Sequence, residues 1–330
     1  MGEFALHSKF SGVHVAMNSC YDEFGEIDEA AVKRLTRFLI DKGVQGVYVG
    51  GGTGEGLLQT VEERKRVLEA VAAENGGRIT VTAHTGAMTT KDSAELARHA
   101  ERAGADAISS VPPFYYAYTE QAVKDYWLEA INSADLPFLI YHIPGATGFQ
   151  VTPRLVRDLR EAAPDRLVGM KVTVFSTYEL QQFKASGGDE FIVMNGPDQQ
   201  YLAGRVMGAD GGIGGTYGVM PELFLRIESH IRQGRLLDAQ RWQFRVNGII
   251  TDMRELGLFG AIKQLIRLRG IECGEPRRPL PSLPASKSGE AARMYETIMR
   301  YVAEAEVEAA AEAEAAVGWS NTIAAGGAQS

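Results

Sequence analysis

Up to about residue 230 the chain alternates between two apolar periods. After Asp28, a helix-capping residue, Ala31, Val32, Leu35, Phe38 and Leu39 line one stripe of a helix that stops at Gly43. The short β-rich run VQGVYVG follows. Thr60 and Glu63 form a capping box ahead of a second helix, and RITVTAH is the next strand. Thr90 opens KDSAELARHAERAG, which gives way to ADAISSVPP. PFLIYHIPG reads as another strand, and Thr152 followed by Pro153 is a cap with proline at the first helical position. RLVGMKVTVF, EFIVMNGPD and GADGGIGGTYG complete the series.

A junction recurs along this stretch. KGVQGVYV (42–49), AGADAISS (103–110) and MGADGGIG (207–214) each place a glycine at a helix end, a very short link, and then a strand. A left-handed glycine leading directly into a buried strand is how a helix-to-strand loop is built. Strands apolar on both faces, separated by amphipathic helices, make a parallel sheet. Seven or eight strand–helix units precede residue 230, which fits an α/β chain folded as a (β/α)8 TIM barrel with a C-terminal helical extension. A doubly wound open sheet is the alternative. Against it, no GxGxxG follows the first strand, and charged or hydroxyl residues recur at many strand ends. The expected organisation is an N-terminal segment 1–9, a barrel 10–230, a helical region 231–317 and a disordered tail 318–330. The Ala/Glu repeat before the tail reads as solvated helix.

Composition narrows the function. Hydrophobic residues make up 45% and charged residues 23% of 330, ordinary for a globular protein. Lys+Arg total 34 against Asp+Glu 42, so a net charge of −8 argues against nucleic acid or an anionic membrane surface as the partner. No apolar run approaches the roughly 20 residues of a membrane span, and MGEFALHSKF has no signal-peptide core. Cys20 and Cys273 alone make no disulfide framework and no CxxC knuckle, and no HExxH or EF-hand pattern is present, so no metal is expected. The expected compartment is the cytoplasm.

In a barrel the working residues sit at the C-terminal strand ends. There the chain carries GGGTGEG (50–56), PPFYY (112–116), Tyr141, Lys171 with Thr173, NGPDQ (195–199) and GGIGGTYG (211–218). RLVGMKVTVF poses the sharpest question. With period two, Val168, Met170, Val172 and Val174 share one face, and Gly169, Lys171 and Thr173 the other. The plain reading is an edge strand whose lysine points into water. The chemical reading is a lysine nucleophile: desolvated lysine amines form Schiff bases with carbonyls, and a nearby Tyr passes the protons. The glycine-rich loop is no P-loop, because Leu57 stands where GK[ST] needs lysine. Its N–H groups with the Thr53 hydroxyl suit a carboxylate instead. Cradle, amine and phenol together describe a 2-keto acid such as pyruvate. His84 and His142 read as hydrogen-bonded structural histidines, and Glu55 as support for the glycine loop. Asp198 stays open between substrate binding and loop support, and Tyr116 and Tyr118 read as interface or packing residues.

YVGGGTGEG, VPPFYY, IYHIPGATG, GMKVT and NGPDQQYLAGRVMGADGGIGG, in that order, resemble the dihydrodipicolinate synthase/N-acetylneuraminate lyase family of pyruvate-type class I aldolases. The similarity covers roughly residues 10 to 300. It implies a (β/α)8 barrel, a homotetramer, and a covalent Schiff base on Lys171 with no cofactor. By the same resemblance Tyr141 is the general acid/base, and Tyr115 reaches a neighbouring subunit's site. Gly52 and Thr53 hold the keto-acid carboxylate, while Thr173, Gly196, Asp198, Gln199 and Gly215 face the rest of the substrate. GADGGIGGTY and NGPDQ resemble the lyase branch, and Ala146 stands where the synthase branch carries a substrate-gripping arginine.

Three positions depart from the pattern. Gly52 replaces a family Ser or Thr thought to relay protons, Gln199 replaces a glutamate, and Gly215 replaces a serine. Loss of a hydroxyl and an acceptor charge alters which tail is preferred. The leading expectation is cleavage of a 2-keto sugar acid to pyruvate and an aldehyde. Two others stay open: a synthase-type condensation or a 2-keto-3-deoxy sugar acid aldolase/dehydratase on the same scaffold, and a catalytically impaired keto-acid-binding protein.

Overall fold

The computed structural model describes residues 8–326, with side chains described up to residue 314. Eight parallel strands close on themselves: β1 (Gly12–Ala16), β2 (Gly46–Val49), β3 (Thr80–His84), β4 (Ala107–Ser110), β5 (Phe138–His142), β6 (Leu167–Val172), β7 (Ile192–Asn195) and β8 (Gly211–Gly214), with β8 pairing back onto β1. Around them run α1 (Glu29–Asp41), α2 (Val61–Asn75), α3 (Thr90–Arg102), α4 (Glu120–Asn132), α5 (Pro153–Ala162), α6 (Thr177–Gly187), α7 (Tyr201–Val206) and α8 (Pro221–Arg232). The fold is the expected (β/α)8 barrel. Asp28 accepts from the Ala31 N–H to cap α1, and Thr60 with Glu63 makes the capping box of α2. The cap of α3 is Thr89 rather than Thr90, because its hydroxyl receives the Asp92 N–H. Gly43, Gly104 and Gly208 all take positive φ (81°, 81° and 101°), the backbone the recurring junction requires.

Strand alternation splits the apolar interior in two. One cluster lies between sheet and helices and takes Phe138, Ile140, Met170 and Val172; a second, inside the barrel, takes Tyr48, Leu139, Tyr141, Ile192 and Met194. Lys171 is the register partner of Tyr141 on β5 and of Met194 on β7, so it points inward with them. A closed barrel has no edge strand, and Lys171 is only 5% exposed, which removes the reading of a solvated edge lysine. Val168 departs from its expected face. The β5–β6 register jumps there, pairing Phe138 with Leu167 but Leu139 with Gly169, so Val168 is bulged and packs against the inner cluster.

Beyond the barrel come α9 (Leu236–Leu256), α10 (Leu258–Leu268) and α11 (Ser288–Gly326). Two expectations change here. Helical backbone continues past residue 318 to Gly326, because a helix already formed by the Ala-rich stretch before it extends at one hydrogen bond per added residue; the last four tail residues and residues 1–7 of the N-terminal segment lie outside the described residues. The Ala/Glu repeat is not solvated all round. Val302 and Ala305 are buried, Glu304 pairs with Arg245, Glu308 accepts from Trp242 Nε1, and Glu312 pairs with Arg226 and Arg235. A four-residue spacing puts these carboxylates on one helix face, opposite an arginine stripe.

Candidate active site

A cavity of about 360 Å³ opens at the C-terminal ends of the strands. Its wall includes Gly52, Thr53, Tyr141, Lys171, Thr173, Gly196, Asp198, Gln199 and Gly215, so nine of the ten expected site residues meet there. Among the described residues a larger surface groove, about 990 Å³, holds none of them and is lined by Asp, Glu and Arg side chains beside Tyr21 and Phe24.

Lys171 Nζ lies 4.2 Å from the ring centroid of Tyr141 and 4.7 Å from that of Tyr48. Both aromatic faces stabilise a cation there. The Tyr48 and Tyr141 rings meet edge to face at 5.8 Å, and the Tyr48 hydroxyl donates to Ser109 Oγ at 2.9 Å. Burial holds the Tyr48 phenol well above its usual range, so it stays protonated. Tyr48 escaped the sequence reading. Its signal was period two: Gly46, Tyr48 and Gly50 share the inner face of β2 and its extension.

The glycine loop is stitched from several sides. Ser19 Oγ donates to the Gly54 carbonyl (2.8 Å), Gln59 Nε2 to the same oxygen (3.0 Å), and Asn18 Nδ2 to the Thr53 carbonyl (3.3 Å). The Glu55 and Gly56 N–H groups bond inside the loop, to Gly52 O (3.0 Å) and Gly51 O (3.2 Å). The Gly52 and Thr53 N–H groups make no hydrogen bond among the described residues, so a carboxylate has two donors beside Lys171. Glu55 supports the loop as expected: it is buried, takes a left-handed φ of 57°, and accepts from the Arg277 N–H at 2.6 Å. Its other oxygen faces the ammonium of Lys263 at 3.3 Å. Lys263, unnoticed in the sequence, also donates to the Ser19 and Cys273 carbonyls.

Two glycines are explained by threonines. A Cβ at Gly215 would stand 2.5 Å from Thr53 Oγ1, and one at Gly196 would stand 2.0 Å from Thr173 Oγ1. The Thr53 side chain thus fills the space a residue-215 side chain would take. Thr173 Oγ1 is buried without a hydrogen-bond partner among the described residues, a polar atom left over for a ligand. At Gly52 a Cβ meets nothing within 4 Å.

Asp198 lines the cavity and is bonded to the loop after β8. Its carboxylate accepts from the Thr216 N–H (2.8 Å) and hydroxyl (2.6 Å) and from the Gly215 N–H. Burial raises its pKa and these donors oppose the rise. Gln199 offers its backbone carbonyl to Asn247 Nδ2 at 3.0 Å. His84 Nδ1 lies 3.0 Å from Gly50 O, and His142 Nε2 lies 3.0 Å from Glu179 Oε1; burial lowers both pKa values.

Tyr115 is the exception. It does not reach the cavity of its own chain: it is 84% exposed, holds φ at 80°, and stacks edge-on against Tyr116 at 5.1 Å. Tyr116 is exposed beside it, and Tyr118 packs partly buried on the core.

A closed (β/α)8 barrel with a buried lysine and a phenol in register at its C-terminal rim defines a barrel enzyme with its site where such enzymes keep it. Residues 9–298 match the family described as "Dihydrodipicolinate synthetase family". The chain belongs to that family. An N-acetylneuraminate lyase of Mediterraneibacter gnavus is 42% identical over 280 residues, 83% of this chain and 88% of that protein. The wild-type sialic acid aldolase of Ruminococcus gnavus superposes with a TM-score of 0.87 at 39% identity, covering 91% of this chain and 99% of that one. A second structure of that aldolase, a catalytic lysine mutant, gives the same TM-score of 0.87.

Proposed function

We propose that this protein is a class I aldolase, a carbon–carbon lyase that cleaves N-acetylneuraminate or a near relative to pyruvate and an aldehyde. The observation that carries the reading is Lys171, buried in register with Tyr141 and sharing one cavity with the two unbonded N–H groups of the glycine loop. The relatives' names favour cleavage over condensation, since those named above are a lyase and an aldolase.

The reaction runs on the chain's own residues, with a covalent lysine adduct in place of a cofactor. Gly52, Thr53 and the Thr53 hydroxyl bind the keto-acid carboxylate. The Lys171 amine adds to the C2 carbonyl, and loss of water gives the iminium. Tyr141 takes the proton of the C4 hydroxyl as the C3–C4 bond breaks; the electron pair passes to the iminium nitrogen as an enamine, and the aldehyde leaves. Protonation at C3 and hydrolysis release pyruvate and restore the amine. The cation that forms on Lys171 sits between the Tyr48 and Tyr141 rings. The same reading takes the protein as a cytoplasmic homotetramer in which Tyr115 reaches a neighbouring subunit's site; the exposed Tyr115–Tyr116 pair supports it.

A coupled assay for pyruvate release from N-acetylneuraminate tests the proposal. Tyr141→Phe is expected to lower kcat by about a hundredfold or more while the protein stays folded. Absence of release by folded wild-type protein overturns it.

A further inference from the structure

The cavity wall also includes residues of helix α9. Helix α9 crosses the barrel mouth. Gln243 Nε2 donates to the Asp198 carbonyl (3.2 Å) and Asn247 Nδ2 to the Gln199 carbonyl (3.0 Å), which fixes one face of the helix against the loop after β7. Ile250 and Arg254 follow on that face at three- and four-residue steps, and both line the cavity. Arg241 and Arg245, earlier on α9, pair with Asp238 (2.6 Å) and Glu304 (2.7 Å). Arg254 has no hydrogen bond or ion pair from its guanidinium among the described residues. Its acidic sequence neighbours do not supply one, since Asp252 and Glu255 lie with Lys287 and Arg293 around a different hollow.

The facing wall offers this guanidinium no uncommitted carboxylate. Asp198 already receives three donors from residues 215 and 216, and Gln199 carries a neutral amide. Phe175, Leu258 and Phe259 make the rest of the rim apolar. A guanidinium is donor-only, so what it recognises must bring oxygen acceptors.

We propose that Arg254 is the specificity-determining residue for the end of the substrate remote from the keto acid, binding oxygen acceptors on the tail and selecting 2-keto acids with oxygen-rich tails over those with short apolar ones. This rests on the aldolase reading. The keto-acid carboxylate and the reacting carbons lie at the Thr53–Lys171 end, so Arg254 acts on recognition and not on the bond-breaking step. An anionic tail oxygen gives the strongest contact, and its contribution weakens with salt because Arg254 is exposed.

The test compares wild type, Arg254→Ala and Arg254→Lys on two substrates, N-acetylneuraminate and 4-hydroxy-2-oxopentanoate, whose tail is a single methyl group. For Arg254→Ala, kcat/KM on N-acetylneuraminate is expected to fall about tenfold or more, chiefly through KM, because a charge-assisted hydrogen bond is lost. The preference for N-acetylneuraminate over the methyl-tailed substrate is expected to fall by a similar factor, and Arg254→Lys to recover part of it. Equal loss on both substrates would mean a structural role and overturn the inference, as would no loss on either. Borohydride trapping of pyruvate by each variant separates the two levels. Wild type that traps no pyruvate and cleaves neither substrate removes the aldolase reading and this inference with it. Wild type that does both, with a preference indifferent to residue 254, removes the inference alone.

Discussion

The Glu55–Lys263 pair ties the glycine-rich loop after β2 to a helix outside the barrel, and its removal has a calculable cost. Glu55 is 2% and Lys263 1% exposed, and their charges lie 3.3 Å apart. At an effective dielectric near 20 the attraction is about 5 kcal/mol, offset in part by desolvation of both ions. Lys263→Met leaves Glu55 buried with the Arg277 N–H as its remaining donor and strips a donor from the Ser19 and Cys273 carbonyls. The expected loss is about 3–5 kcal/mol in urea unfolding, the usual cost of breaking a buried pair from one side. Glu55→Gln is expected to cost less, because the amide oxygen still accepts from Arg277. The double variant should lose at least about 1.5 kcal/mol less than the sum of the singles, since each single leaves a lone buried charge and the double leaves none. The Schiff-base titration with pyruvate should weaken in both singles, because Glu55 belongs to the loop that carries Gly52 and Thr53. Additive losses, or a Lys263→Met loss below about 1 kcal/mol, would refute the argument that this pair is coupled and holds the loop.

Three further outcomes follow from the site and its surroundings. Burial lowers the His14 pKa to about 4, and His84 moves the same way. The unfolded chain therefore binds the extra protons first, so stability is intact above about pH 6.5 and falls as pH drops from 6.5 toward 4, by about 1.4 kcal/mol per pH unit per histidine. Urea unfolding at pH 7, 6 and 5 should show this, and His14→Asn should flatten the slope by one histidine's share; an unchanged slope contradicts it. Gly215→Ala pushes a Cβ toward Thr53 Oγ1 and should raise the pyruvate concentration for half-maximal trapping by about three- to tenfold, with unchanged trapping as the contrary result. Gly52→Ser enters open space, so stability should shift by less than about 0.5 kcal/mol. Its kcat should change less than about threefold, and a rise above tenfold would mean that the wild-type proton relay is incomplete.

What the sequence disclosed and what it withheld divide along physical lines. The barrel was legible because each unit repeats the same local problem: a capped amphipathic helix, a left-handed glycine, a strand buried on both sides. The inward lysine was legible because period two fixes faces within a strand, while its register with Tyr141 is set by the pairing of β5 with β6. The same rule failed at Val168, where a bulge adds a residue that no local pattern announces. Lys263 and Arg254 lie on helices far along the chain from the residues they serve, and only tertiary packing brings them to the loop and to the cavity. The Glu304, Glu308 and Glu312 face looked solvated because the arginines that oppose it come from other helices. Gly215 reads as a missing serine, whereas a Cβ there would meet the Thr53 hydroxyl, as one at Gly196 would meet that of Thr173. Tyr115 points away from its own cavity, so a single chain places it on the surface.

The central claim is that Lys171 captures a 2-keto acid. Its most direct test is intact mass after borohydride reduction with pyruvate, followed by peptide mapping, with Lys171→Met run alongside. The account predicts that wild type gains one reduced pyruvyl group, mapped to Lys171, and that the variant gains none. A folded wild-type protein that gains no mass, or an adduct that maps to another lysine, would contradict it.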